Sequence, residues 1–132
     1  MVFIYHFEAN DHFGPAAGRL LRAAEEGRCR LVCSVVALLE VLVVPKRRGE
    51  TALCQRYREV FESFPNLSVL ALDAGVAEIA SDLRASHSVR TPDAIHLATA
   101  LHAGAHAFIT QDDRLRIQGL EILPLEAVPL DH

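Results

Sequence analysis

The chain is short of cysteine, of long apolar runs and of positive charge, and each shortage removes a class of protein. Its three cysteines, Cys29, Cys33 and Cys54, cannot make a complete disulfide framework. Cys29 and Cys33 fall along a predicted strand, where four residues span roughly 13 Å, beyond the reach of one bridge. Neither a CxxC pair nor a Cys–His zinc spacing occurs, so reduced, buried thiols in a cytoplasmic protein are expected. The most apolar stretch, Leu31 to Val44, is broken by Ser34 and Glu40 and falls short of the roughly 20 residues of a membrane span. Glu8 and Asp11 come too early for a secretory leader, and no small-residue cleavage site follows an apolar run. The 13 Lys and Arg against 17 Asp and Glu give a net charge of −4. That excludes a globally basic nucleic-acid coat but leaves room for a local basic patch. There is no serine nucleophile elbow and no glycine-rich phosphate loop. No repeat, low-complexity tract or linker divides residues 1–132, which read as one soluble domain.

What is present is enough apolar residue, 51% against 23% charged, to build a core. Ala17, Leu20, Leu21 and Ala24 predict a helix over Pro15 to Glu26, ended by Gly27. Arg30 to Cys33 reads as a short strand. Val35 to Val44 reads as a helix behind Ser34 as N-cap, despite its β-branched composition. Leu53, Tyr57, Val60, Phe61 and Phe64 recur at helical spacing until Pro65-Asn66. Leu67 to Leu72 alternates as a strand. Asp73 then caps a helix carrying Val76, Ile79, Ala80 and Leu83 on one face. Thr91-Pro92-Asp93 reads as another helix start, with Thr91 capping and Pro92 first, and Gly104 ends that helix. Ala107 to Thr110 and Glu121 to Leu125 are further strands. Strands separated by helices imply crossover connections, a mostly parallel sheet with helices on both faces, and ligands beyond the carboxyl ends of its strands.

Three carboxylates draw notice against that plan. Glu40 shares a helical face with Val36, Ala37, Val43 and Val44, where a carboxylate needs a cation or donors. The plainer reading has it paired with an arginine or facing solvent. Asp93 in a first helical turn is favoured by the helix dipole alone. The helix behind it, however, is apolar nearly all round, which points its leading carboxylate into the protein or a cleft. Asp112 and Asp113 follow a strand end, where either a polar turn or a ligand crevice would place them. Three such carboxylates without a Cys or His partner suggest a hard, oxygen-ligated cation, Mg²⁺ or Mn²⁺.

Ser34 with Glu40 six positions on, then Thr91-Pro92-Asp93-Ala94-Ile95-His96-Leu97-Ala98-Thr99-Ala100, then Phe108-Ile109-Thr110-Gln111-Asp112, resemble the PIN-domain ribonucleases. The likeness is strongest to the VapC-type toxins of prokaryotic toxin–antitoxin pairs and runs over nearly the whole chain. It implies a three-layer α/β/α fold, with Glu40, Asp93 and Asp112 as acidic metal-site residues. Thr110 is then the supporting hydroxyl, with Ser34 and Asp113 beside it. The implied activity is Mg²⁺- or Mn²⁺-dependent endonucleolytic cleavage of RNA, as the toxin of a type II pair. The implied partners are RNA and a small antitoxin, with a homodimer expected and no membrane. The resemblance departs at the amino end, where the family opens with an apolar strand ending in Asp. It leaves this chain without the first strand and the first acidic ligand, and makes Val2 to Phe7 a short helix, although locally these residues read as a strand. Glu8 or Asp11 could replace the ligand, but their spacing does not argue for it.

Other residues carry weaker signals. His102 and His106 are four apart, but Gly104 between them should end the helix. His96 lies one turn from Asp93 and reads either as a core histidine or as a neighbour of the site. Lys46, Arg47 and Arg48 form the densest positive cluster, a solvated loop or a contact to the RNA backbone, as Arg114 and Arg116 would be. Leu20, Leu21 and the Tyr57/Phe61/Phe64 stripe read as core that could contribute a dimer or antitoxin surface. Besides the nuclease, a catalytically inactive PIN-like binding module and a small phosphohydrolase on the same acidic site remain open.

Overall fold

The computed structural model describes the backbone of residues 2–5, 15–110, 117 and 120–123, and the side chains of these from residue 18 onward. Its elements run β1 (Val2–Tyr5), α1 (Pro15–Glu25), β2 (Arg30–Ser34), α2 (Val35–Arg47), α3 (Thr51–Ser63), β3 (Leu67–Leu70), α4 (Ala74–Ser86), α5 (Thr91–His102), β4 (Ala107–Ile109) and β5 (Glu121–Leu123). The strands form one sheet in the order β3-β2-β1-β4-β5. All four pairings are parallel, as helical crossovers require. None of the described helices is long and apolar enough to cross a membrane.

The sheet corrects the expectation of a missing first strand. Val2–Tyr5 is a strand and occupies the centre, with Ile4 beside Val32 on one side and Phe108 on the other. The short helix implied by the resemblance is therefore absent over Val2–Tyr5, and the local β pattern was the better guide. Residues 6 and 7 lie outside the described residues.

The period-2 alternation of the strands divides the core in two. Leu31 and Cys33 of β2, with Ala107 and Ile109 of β4, pack against α1, α2 and α3. Val32 and Phe108, one residue out of phase, pack against α4 and α5 on the other face. The result is three layers, α/β/α, around a parallel sheet.

Element ends follow local chemistry. Gly27 (φ 78°) closes α1, with the Gly27 N–H on Ala24 O at 3.0 Å and the Arg28 N–H on Ala23 O at 2.8 Å. Gly104 (φ 68°) repeats that Schellman pattern on α5. Ser34 caps α2 and Asp73 caps α4, each side chain accepting a backbone N–H, from Val36 at 3.1 Å and Val76 at 2.9 Å. Asn66 takes the left-handed conformation (φ 61°), and its side chain donates to Ala24 O at 2.7 Å, tying the turn before β3 to the end of α1.

Several boundaries differ from expectation. Helix α2 does not stop at Val44 but passes through Pro45 to Arg47. A proline in the last turn forfeits one hydrogen bond, and its ring is buried in compensation. Strand β3 ends at Leu70 rather than Leu72. The cap of α5 is Arg90, not Thr91, and it makes no side-chain cap bond; Thr91 is already helical.

Candidate functional site

Helix α2 springs directly from the carboxyl end of β2, because Ser34 is both the last strand residue and the cap. Ala37, Val41 and Pro45 turn inward, and Glu40 sits at the margin of that stripe with its side chain 29% exposed. Among the described residues it meets His96 of α5, 56 residues away, with Nε2 at 2.7 Å from Glu40 Oε1. A carboxylate can only accept, so the ring donates from Nε2. His96 itself is only 2% exposed, on a helix whose Ala94, Leu97, Ala98 and Ala100 are also buried. The pair therefore joins α2, on one face of the sheet, to α5 on the other.

Asp93 lies one turn before His96, so their Cβ atoms are about 5–6 Å apart. The histidine that meets Glu40 thus stands on the same helix as Asp93, one turn further on. The Asp93 side chain is 20% exposed, in the first turn of α5 where the dipole favours a negative charge, and Arg90 Nε stands 3.6 Å from its Oδ2. Burial all round the helix, read from sequence, is what leaves this carboxylate at its open end.

Ser34 and Thr110 stand level at the carboxyl edge, each two residues beyond the Val32 and Phe108 that flank Ile4. Both are buried. Asp112, Asp113, Arg114 and Arg116 lie outside the described residues, as do Glu8 and Asp11. Among the described residues, no three His, Cys, Asp or Glu side chains gather as a metal-binding group. The donors at this edge are carboxylate and hydroxyl oxygens, the chemistry that suits a hard cation such as Mg²⁺ or Mn²⁺. The bond from His96 uses only one of the roughly four lone-pair directions of Glu40, so it is compatible with a cation on the same carboxylate.

Lys46 and Arg47 are not in a loop but in the last turn of α2, with Arg48 as its C-cap, all three exposed. Positive charge there complements the helix dipole. Arg47, seven residues after Glu40, lies on the same helical face about 10 Å further along the axis. Leu20, Leu21, Tyr57 and Phe61 are buried in the core, and Phe64 packs partly buried against it. Among the described residues, the exposed large apolar side chains are instead Val35, Leu39 and Val43, spaced one turn apart on α2, and Leu72. The three cysteines are free and buried, and desolvation pushes the Cys33 thiol up to about 12. Burial likewise raises Cys29, so neither is a reactive thiol.

Sequence reasoning passed over two arginines. Arg90 faces Asp93 at an i,i+3 spacing that was legible. Arg84 donates to Thr91 Oγ1 at 2.9 Å and to Val89 O at 3.1 Å, a tertiary contact without a local signal.

The PIN-domain family model matches residues 1–119 of the chain. The chain belongs to the PIN-domain family. Solved structures agree on the fold of this PIN domain. A toxin–antitoxin complex from Klebsiella pneumoniae superposes with a TM-score of 0.67 at 23% identity, covering 95% of this chain and 98% of that one. VapBC2 from Rickettsia felis, bound to a DNA fragment from its promoter, gives 0.73 at 16% identity, covering 94% and 98%. No curated protein matches this chain significantly.

Proposed function

We propose that this PIN domain, residues 1–132, is a metal-dependent endoribonuclease and the toxin of a type II toxin–antitoxin pair. The observation that carries the reading is the bond between Glu40, on the helix that follows the carboxyl end of β2, and buried His96, three residues after Asp93 on α5. Ligands of parallel sheets sit beyond the carboxyl ends of their strands. The likeness to two solved structures, a toxin–antitoxin complex and VapBC2, supports the toxin reading.

Glu40, Asp93 and Asp112 would hold the cation, Mg²⁺ or Mn²⁺. Bound there, it would polarise a phosphoryl group and lower the pKa of water for attack on the RNA backbone. Thr110, Ser34 and Asp113 would support that acidic set. Lys46, Arg47, Arg48 and Arg114 would contact RNA phosphates, which requires local positive charge rather than a basic protein. Partners beyond RNA are a small cognate antitoxin and a second copy of the chain, in the cytoplasm.

The test is cleavage of total RNA by the purified chain in Mn²⁺, compared with Asp93→Asn. The substitution keeps volume and removes the charge that would hold the cation. Cleavage by the parent and none by a folded Asp93→Asn variant is expected. Equal cleavage by both overturns the role of Asp93. A folded parent that neither cuts RNA nor binds Mn²⁺ overturns the nuclease in favour of an inactive binding module.

A further inference from the structure

His96 is an unusual residue for its position. Helix α5 is packed nearly all round, and at this point it places an imidazole where its neighbours are Ala and Leu. A buried polar ring must be satisfied, and part of that satisfaction comes from Glu40. The two ends of the contact are unequal. The histidine is locked in the core, whereas Glu40 is partly exposed. A short bond from a fixed donor therefore favours the orientation of the carboxylate that meets it.

We propose that His96 is a positioning residue, which fixes the orientation of the Glu40 carboxylate for cation binding and is not itself a ligand. Its Nε2 is spent on Glu40 Oε1, so a cation at Glu40 meets the histidine as the outer partner of a ligand. This rests on the proposed reading of Glu40 and Asp93 as metal-holding residues. Outer partners of ligating groups typically change metal affinity by about 10–100-fold when removed. The placement of His96 three residues after Asp93 makes one helix responsible both for a ligand and for the orientation of a second ligand from another layer of the fold.

The experiment is calorimetric titration of the full chain with Mn²⁺, for the parent and for His96→Leu, His96→Gln, His96→Asn and Glu40→Gln. Gln carries an amide donor to about the reach of Nε2, Asn falls short of it, and Leu fills the space without a donor. His96→Leu should bind Mn²⁺ about 10–100-fold more weakly. His96→Gln should recover most of that loss and His96→Asn should not. In the Glu40→Gln background, His96→Leu should cost no further affinity, which a general packing role would not predict. If His96→Leu does not fold, the comparison of Gln with Asn decides the matter, and equal affinity in those two variants overturns the proposal. A folded His96→Leu variant that binds like the parent, while Glu40→Gln binds weakly, overturns the positioning role and leaves the metal site standing. Parent and Glu40→Gln chains that bind Mn²⁺ equally, or not at all, overturn the metal reading itself and the positioning role with it.

Discussion

Arg84 of α4 holds the first residue of α5 through Thr91: Nη1 donates to Thr91 Oγ1 at 2.9 Å, while Nε donates to the Val89 carbonyl at 3.1 Å. The start of α5 has no side-chain cap of its own, and Arg84, which can only donate, ties that start to α4 through the Thr91 hydroxyl without capping its free amides. The consequence reaches the candidate site, because Asp93 is two residues further on.

Arg84→Met should therefore act locally. The arginine is exposed, and the global loss of stability should be no more than about 1 kcal/mol. Amide hydrogen exchange over Ala94 to His96, the first amides of α5 bonded within the helix, should accelerate relative to the rest of α5. Unchanged exchange there would show that the arginine does not order the helix start.

On the proposed reading of Asp93, Arg90 competes with the cation for its carboxylate. The pair is 3.6 Å apart, and the arginine side chain is 85% exposed, so screening keeps its contribution small. Arg90→Ala should leave the melting temperature nearly unchanged. Mn²⁺ should bind more tightly to the variant, by up to about fivefold, the equivalent of ~1 kcal/mol for an exposed ion pair. Weaker binding would mean that Arg90 assists the site rather than opposing a cation.

The two apolar populations of the chain should respond in opposite ways. Leu20 is fully buried between α1 and the sheet, and Leu20→Ala should cost about 2–5 kcal/mol in urea unfolding through lost burial and a residual cavity. Leu39, 64% exposed on α2, should tolerate Lys to within about 0.5 kcal/mol. A large loss at Leu39 in the isolated chain would place it in a contact that the described residues do not contain.

Cys33 gives a pH dependence with a defined sign. Burial holds its thiol protonated to about 12 in the folded chain, while the unfolded chain loses that proton near the ordinary value of 9.0. Above pH 9 the folded state thus binds more protons than the unfolded one, and stability falls as pH rises toward 12. Below pH 9 the contribution is fully present. The difference in unfolding free energy between the parent and Cys33→Ala should accordingly narrow over that window, by at most about 1.4 kcal/mol per pH unit. A constant difference from pH 8 to 11 would rule out a shifted thiol. The same thiol should resist alkylation at pH 8 until the chain is unfolded.

Much of this molecule is written in short-range chemistry. Ser34 and Asp73 are caps because a side-chain oxygen beside an apolar periodic segment satisfies the orphan amides of the next turn, and they appear where the pattern places them. Gly27 and Gly104 end helices because the left-handed residue there costs glycine little. The alternation of Leu31, Val32 and Cys33 already contained the two faces of the sheet. Asp93, at the head of a helix with no polar side, was noticeable for the same reason.

What the tertiary structure decided lies wherever a residue's partner is distant along the chain. The spacing around Glu40 marked it as anomalous, yet its partner, 56 residues on, could not be named before α2 and α5 met. Thr91 looked like a cap by composition, but Arg84 reaches its hydroxyl from α4, and the helix begins one residue earlier. Val2–Tyr5 carries ordinary strand propensity in any context. Only pairing with Arg30–Val32 on one side and Ala107–Ile109 on the other made it the middle of the sheet. Caps and turns draw their hydrogen bonds from within a few residues, so they are local by construction. Strand neighbours and buried polar pairs draw theirs from whatever the fold brings near, and no window of sequence contains that information.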